Sequence, residues 1–299
     1  MTSTHVLADL EQKLAAGGAF TTTDAGRVLA CADLVSVGML GDQARRARTG
    51  DRVTFSRVST VGAALPEAVG DAGEVRLIGL PASIADARTR VRAAAAWAGA
   101  VPVTGFTLAQ LIGLSGADAD ALRQLAADLV ADGLTALAEV QIDNAPSDAE
   151  LIASVRAVAD AGLGVWRITV ERAEPGDRLA LIERANALQE ATHAVRAFAP
   201  LPRTDHPDTP STGYDDVKTI ALARLRCTGI EHIQVDWPLY GPKLAQVAIT
   251  FGANDIDGVA AIDTVNLGPR KTPLEDIRRQ ILAAGGTPVE RDARYAVVS

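Results

Sequence analysis

The chain has 299 residues, a formal net charge of −8 and only two cysteines, Cys31 and Cys227. This length is enough to bury a large core without disulfides or a structural metal, and two widely separated cysteines predict a reducing, cytoplasmic location. The acidic balance argues against a nucleic-acid partner, and no apolar run is long enough to predict a membrane span. The four histidines lack metal-ligand spacing, so no metal is predicted. A small molecule or a protein is the favoured partner.

The first fifty residues predict three helices. Apolar residues at helical spacing indicate a first helix over residues 6–15. Thr23 with Asp24 is predicted to cap a second helix that includes Leu34 and Val35, and a third is predicted to end before Gly50. We expect this helical segment, residues 1–51, to pack on the domain that follows it.

From residue 52 onward, short apolar runs alternate with helical stretches. Strands that alternate with helices pair in parallel through crossover connections, and eight such units predict a closed (β/α)8 barrel of the TIM type over residues 52–299, with a C-terminal helix and tail. An open, doubly wound sheet is the competing topology. The eight predicted strands cover residues 52–59, 74–80, 101–106, 135–141, 165–171, 195–200, 231–237 and 246–251.

Polar side chains share one face of three predicted strands. Successive residues of a strand point to opposite sides, and the outer face of a barrel strand packs under helices and must be apolar. The polar faces are therefore expected to point into the barrel, and they consist of Glu139 and Gln141 on the fourth strand, Arg167, Thr169 and Glu171 on the fifth, and His232, Gln234 and Asp236 on the seventh.

So many charged groups inside a barrel must pair with one another or surround a polar cavity. We therefore predict a ligand pocket at the C-terminal mouth, where Arg167 holds a carboxylate through parallel hydrogen bonds and Glu139, Glu171 or His232 acts as acid or base. The alternative is a buried ion network without function, in which Arg167 bridges Glu139 or Glu171. The predicted ligand-binding residues are Arg167, Thr169, Gln141, Gln234, Asp236, Asn254 and Asp255.

Two polar segments lie outside the predicted strands. Residues 251–258 (Phe-Gly-Ala-Asn-Asp-Ile-Asp-Gly) follow the eighth predicted strand, and their Asp, Asn and Gly content is typical of a turn. Asp205, His206 and Asp208 form a small polar cluster in a proline-rich connection, which is expected to be a solvated loop.

The last hundred residues resemble a known family. Residues 229–238 (Gly-Ile-Glu-His-Ile-Gln-Val-Asp-Trp-Pro), 241–246, 251–258 and 287–295 resemble the C-terminal half of aminofutalosine synthase. That enzyme is the radical S-adenosylmethionine enzyme of the futalosine route to menaquinone, and it is related to the deazaflavin synthase subunits. Weaker agreement extends over the N-terminal helices and residues 74–113 and 188–202. The resemblance implies a (β/α)8 barrel, in agreement with the strand count.

One motif of the family is missing. Its members hold a four-iron cluster with a Cys-x3-Cys-x2-Cys loop after the first strand, whereas residues 61–73 contain no cysteine. The resemblance without this motif implies a barrel without reductive radical activity; no cofactor is expected, although S-adenosylmethionine binding stays open. We expect a non-radical paralogue or partner protein of menaquinone biosynthesis that binds a carboxylated aromatic or nucleoside ligand. The alternatives are a hydrolase, lyase or isomerase in the same pocket, and an interaction module for an active radical homologue.

Overall fold

The computed structural model describes residues 7–62, 64–204, 212–262 and 274–298. Each of eight strands pairs in parallel with the next, and the eighth pairs back to the first, which closes a barrel. The predicted (β/α)8 fold is therefore confirmed, and the open sheet is excluded. The strands are β1 (Arg52–Val61), β2 (Glu74–Leu77), β3 (Val103–Thr107), β4 (Leu134–Gln141), β5 (Arg167–Val170), β6 (Ala197–Pro202), β7 (His232–Asp236) and β8 (Asp255–Ala260).

Helices cover the outside of the barrel. Apolar residues on the outer strand faces, such as Val140, Ile168 and Ile233, are completely buried beneath them. Within the described ranges, none of these helices has the length and apolar character needed to cross a membrane. The helices are α1 (Ala8–Ala15), α2 (Thr22–Ala30), α3 (Leu34–Thr49), α4 (Ile84–Ala98), α5 (Leu108–Leu114), α6 (Ala119–Ala131), α7 (Asp148–Asp160), α8 (Arg178–Thr192), α9 (Gly213–Arg226), α10 (Trp237–Thr250) and α11 (Leu274–Ala283).

The N-terminal helices differ from the prediction at their boundaries. Thr21, rather than Thr23, caps α2, and it forms a reciprocal capping box with Asp24. The helical conformation ends after α2, and the Asp33 side chain accepts a hydrogen bond from the Val35 N–H at the start of α3. Leu34 therefore begins the third helix instead of ending the second. The division of the chain at residues 51 and 52 stays a prediction.

The eighth strand is not where the sequence predicts it. Residues 246–250 complete α10, which resumes after a break at Gly241 (φ 76°), and Phe251 is its C-cap. Their buried neighbours Ala245, Ala248 and Ile249 follow the three-and-four spacing of a helix, so the β-branched composition of the run was misleading. The true eighth strand is β8, in the segment predicted as a turn, because arginines in the barrel neutralise its inward carboxylates.

The C-terminal tail closes the N-terminal end of the barrel. A ninth strand, β9 (Thr287–Glu290), pairs in parallel with the first half of β1, where Arg52 lies opposite Thr287. The chain then turns beneath the barrel, and the Ala293 N–H donates to the Gly73 carbonyl at 3.0 Å. Ligands therefore have access from the opposite end, at the C-terminal ends of the strands. The polar cluster predicted at Asp205, His206 and Asp208 lies outside the described residues.

Candidate active site at the barrel mouth

A buried ion network crosses the middle of the barrel. Asp257 on β8 accepts hydrogen bonds from Nη1 and Nη2 of Arg76 on β2, at 2.9 and 2.7 Å, and from Nη1 of Arg167 on β5. Arg76 also donates from Nε to Glu74 at 2.6 Å, and Arg167 donates from Nε to the Ala138 carbonyl at 2.7 Å. In the alternative considered above, Arg167 bridges Glu139 or Glu171; among the described residues its carboxylate partner is instead Asp257, from across the barrel.

The network is held in its charged form. Burial acts to raise the pKa of Asp257, but Arg167 and Arg76 outweigh this effect and hold that pKa well below its usual value. Burial likewise opposes ionisation of Glu74, and the neighbouring Arg76 lowers its pKa on balance. The two carboxylates therefore stay ionised at neutral pH and, with the guanidiniums that bind them, form a charged floor for the space above them.

A second group of charges lies above this floor. Arg203, just after β6, approaches Glu139 on β4 at 2.6 Å (Nε to Oε2) and Asp236 at the end of β7 at 3.3 Å (Nη1 to Oδ2). Asp236 also accepts the Leu239 N–H at 2.9 Å and so caps α10. Burial, together with the nearby charge of Asp257, raises the pKa of Asp236. Asp236 therefore takes up a proton at a higher pH than an exposed aspartate does.

These charges line an open cavity of about 420 Å³ at the C-terminal ends of the strands. Its volume lies in the range of small-molecule sites. The cavity combines a charged floor with hydroxyl, amide and apolar walls, a composition that fixes the orientation of a ligand with polar and apolar ends. Its lining includes Arg76, Arg167, Arg203, Glu139, Asp236, Thr60, Thr107, Gln110, Val58, Leu77, Ile78, Phe106 and Pro238.

Three predicted site residues lie at the opposite end of the barrel. Asp255 accepts from Nε and Nη2 of Arg291 in the tail and from Nε2 of Gln234, each at 2.6 Å. Burial opposes ionisation of Asp255, but Arg291 outweighs it and lowers the pKa. The His232 ring lies 4.9 Å from the Tyr295 ring, between centroids, and burial lowers its pKa. His232, Gln234 and Asp255 therefore anchor the tail and do not line the mouth cavity.

The other predicted residues make local contacts. Asn254 accepts the Ile233 N–H at 2.9 Å and binds the buried Arg224, so its role is structural. Gln141 donates to Glu171 at 2.8 Å, beside the cavity. The Thr169 hydroxyl is buried, and the described residues offer it no hydrogen-bond partner.

The structure thus brings together three of the residues singled out from the sequence, Glu139, Arg167 and Asp236. Sequence reasoning missed Arg76, Arg203 and Asp257. The alternation of Glu74 and Arg76 with apolar neighbours on β2 carried a signal for Arg76, whereas Arg203 and Asp257 were hidden in segments assigned to a connection and a turn.

No family model matches the chain. Among curated proteins, aminodeoxyfutalosine synthase from Thermus thermophilus is 34% identical over 138 residues, which cover 41% of this chain and 37% of that enzyme. The 5-amino-6-(D-ribitylamino)uracil–L-tyrosine 4-hydroxyphenyl transferase of Methanothermobacter thermautotrophicus is 36% identical over 138 residues, 40% of this chain and 37% of that protein. The chain thus matches less than two fifths of the length of these relatives.

Two solved structures share the fold over most of the chain. Methylornithine synthase (PylB) superposes with a TM-score of 0.68 at 13% identity and covers 93% of this chain and 96% of its own. The [FeFe]-hydrogenase maturase HydG gives a TM-score of 0.62 at 13% identity, over 99% of this chain and 77% of its own. At this identity the likeness shows the fold alone.

The prediction that no cofactor is needed is wrong. It conflicts with the curated relatives, which are radical S-adenosylmethionine enzymes and use an iron–sulfur cluster and S-adenosylmethionine. The cysteines of this chain nevertheless do not fit the three-thiolate loop of such a cluster. Cys31 follows α2, and Cys227 follows α9, where its Sγ donates to the Ile182 carbonyl at 3.6 Å and burial raises its pKa to about 12. We assign no cluster ligand in this chain.

The sequence matches and the shared barrel fold are consistent with each other. The matched stretch is similar to aminodeoxyfutalosine synthase and to the 4-hydroxyphenyl transferase, and the solved structures share the closed barrel. The comparisons therefore confirm that this chain resembles the aminofutalosine synthase-like radical S-adenosylmethionine family.

Proposed function

We propose that this chain binds a carboxylated aromatic or nucleoside ligand in the mouth cavity and serves menaquinone biosynthesis by the futalosine route. The 420 Å³ cavity, with three arginines and two carboxylates around it, is the observation that carries this proposal. The match to aminodeoxyfutalosine synthase supports the pathway.

The charges of the cavity suit a ligand with two kinds of polar group. A guanidinium has five N–H bonds, and within the part of the chain that the structure describes Arg203 directs Nε and Nη1 at carboxylates. Its remaining N–H bonds can hold a ligand carboxylate in the bidentate manner typical of arginine. Glu139 and Asp236 are acceptors for ligand hydroxyl or amino groups, such as those of a ribose.

Isothermal titration with benzoate and with its neutral analogue benzamide tests the carboxylate preference, and adenosine tests the nucleoside class. We expect benzoate to bind and benzamide to bind more weakly. Removal of a charge-assisted hydrogen bond costs about 1.5–3 kcal/mol, so Arg203→Gln should weaken benzoate binding by about tenfold or more. Arg123→Gln is the matched control, because Arg123 is exposed on α6 and pairs only with Asp120 in the described contacts.

Equal binding of benzoate and benzamide, or equal losses in Arg203→Gln and Arg123→Gln, would contradict the proposal. Thermal unfolding provides a second readout, since a ligand that binds only the folded chain raises its stability by about 2.7 kcal/mol at one hundred times its Kd.

Acid–base catalysis in the same cavity is the second candidate function. The raised pKa of Asp236 favours it, because a buried carboxyl group beside like charge is suited to exchange a proton with a bound ligand. Mass spectrometry of ligands incubated with the chain tests it: a conversion that Asp236→Asn abolishes while ligand affinity is kept supports catalysis. No conversion of any bound ligand leaves binding as the function.

Association with an active radical homologue and a cytoplasmic location stay predictions. Co-purification of the tagged chain with a co-expressed aminodeoxyfutalosine synthase tests the association, and recovery of either protein alone would contradict it.

A further inference from the structure

A second groove of about 460 Å³, which we name the annex, adjoins the mouth cavity. Thr107 and Gln110, at the start of α5, line both spaces. The annex is mainly apolar, and Leu80 on its wall is an exposed large hydrophobic side chain, with 73% of its surface accessible. Its lining consists of Leu80, Pro81, Thr107, Ala109, Gln110, Gly113, Leu114 and Gln141.

The wall between β2 and α4 is held in place by its own contacts. Arg90 on α4 donates to the Ile78 carbonyl, and its guanidinium lies 5.5 Å from the centre of the Phe106 ring. The Asp86 side chain accepts the Ala82 N–H at 2.9 Å and fixes the end of the same loop. The annex is therefore already formed without a ligand, which lowers the ordering cost of binding.

Gln110 marks the boundary between the polar and the apolar space. Its Oε1 accepts the Thr107 N–H at 3.1 Å, and the Thr107 hydroxyl accepts the Gln110 N–H at 3.1 Å. This reciprocal capping box fixes the Gln110 side chain. Its Nε2 makes none of the hydrogen bonds found among the described residues, so Gln110 brings an amide donor to the boundary of the two spaces.

We infer that the annex binds an extended apolar group, such as a second aromatic ring, of the ligand whose carboxylate lies in the mouth cavity. This inference rests on the proposed function and narrows its ligand to an elongated molecule, charged at one end and apolar at the other. Because Thr107 and Gln110 line both spaces, the two are close enough for a single ligand to extend from one to the other. Leu80 and Leu114 then bury apolar surface that the structure leaves exposed to solvent.

Benzoate and biphenyl-4-carboxylate are the probes, because they share a carboxylate and differ by one ring. Burial of the second ring in the annex should make the biphenyl compound bind about tenfold more tightly or better in isothermal titration. Gly113→Leu should remove this gain and leave benzoate binding unchanged, because a Cβ at Gly113 meets no described atom within 4 Å and its side chain is free to fill the annex. Gly26→Leu on α2 is the matched control, since Gly26 is also helical, exposed and surrounded by open space.

Failure of the proposed function and failure of the annex inference give different results in these titrations. If neither probe binds the wild-type chain, the proposed function fails and the annex inference fails with it. If both probes bind with equal affinity, or if Gly113→Leu weakens benzoate as much as biphenyl-4-carboxylate, the annex inference is overturned while the mouth site stands. Equal effects of Gly113→Leu and Gly26→Leu on biphenyl-4-carboxylate overturn it as well. Gly113→Ala, with a smaller side chain, checks that the loss grows with the volume added.

Discussion

Replacement of Asp257 by Asn should destabilise the barrel strongly, whereas the same replacement of Asp236 should not. Asp257 is 1% exposed and is the shared partner of Arg76 and Arg167. When Asn replaces Asp257, the buried guanidiniums of Arg76 and Arg167 lose this negatively charged partner. Removal of one partner from a buried ion pair costs about 3–5 kcal/mol, a large share of the 5–15 kcal/mol that typically separates folded from unfolded protein.

Asp236 provides the contrast. It lies 3.3 Å from Arg203, is partly exposed, and caps α10, a role that Asn fills equally well. The Arg203 and Asp236 side chains are 21% and 16% exposed, but Arg203 keeps its 2.6 Å contact with Glu139 and Asn still offers it an oxygen acceptor, so the change costs about 1 kcal/mol or less. Because the folded state raises the pKa of Asp236, ionisation at pH 7 opposes folding, and a neutral Asn removes that cost. We expect Asp236→Asn to change the free energy of unfolding by less than about 1 kcal/mol.

Urea unfolding followed by circular dichroism, from pH 3 to pH 8, measures both effects. Asp257 has a lowered pKa in the folded state, so its contribution is complete above its unfolded pKa of about 3.9 and is lost as the pH falls through the folded value. The gap between wild type and Asp257→Asn should therefore be constant near pH 7 and narrow in acid. The contribution of Asp236 has the opposite sign: it is present below pH 3.9 and lost as the pH rises through the raised value. Equal unfolding free energies of the two variants at pH 7 would refute this account of the barrel charges.

Three further predictions concern groups outside the mouth. Arg291→Met should lower the unfolding free energy by about 3–5 kcal/mol in urea titrations, because it leaves Asp255 buried without its charged partner and frees the tail. A change under about 1 kcal/mol would mean that the tail does not seal the barrel. Asn254→Ala should cost about 1–3 kcal/mol through the lost bonds to Arg224 and leave benzoate affinity unchanged, and a selective loss of affinity would restore Asn254 to the ligand site. Cys227, buried with its pKa raised to about 12, should react with iodoacetamide at pH 8 only after unfolding, and rapid labelling of the folded chain would contradict its burial.

The sequence predicted the barrel because its evidence is local and repeated. The spacing of apolar residues indicates each strand and helix separately, and eight strand–helix repeats in chain order are compatible with few topologies. Alternation also showed which face of β4, β5 and β7 is polar, and Glu139, Arg167 and Asp236 do line the cavity. The same reasoning failed at β8, where inward carboxylates beside glycine have the composition of a turn.

Only the tertiary structure shows how deep each residue lies along the barrel axis and which charged residues pair with each other. Alternation gives the face of a residue but not its height: His232 and Asp236 share a face of β7, yet one contacts the tail and the other the mouth, because a strand rises about 3.3 Å per residue. Arg76 and Arg167 lie 181 and 90 positions from their partner Asp257. Such pairs form when closure of the barrel brings distant strands into one layer. The burial and the neighbouring charges that result lower the pKa of Asp257 and raise that of Asp236.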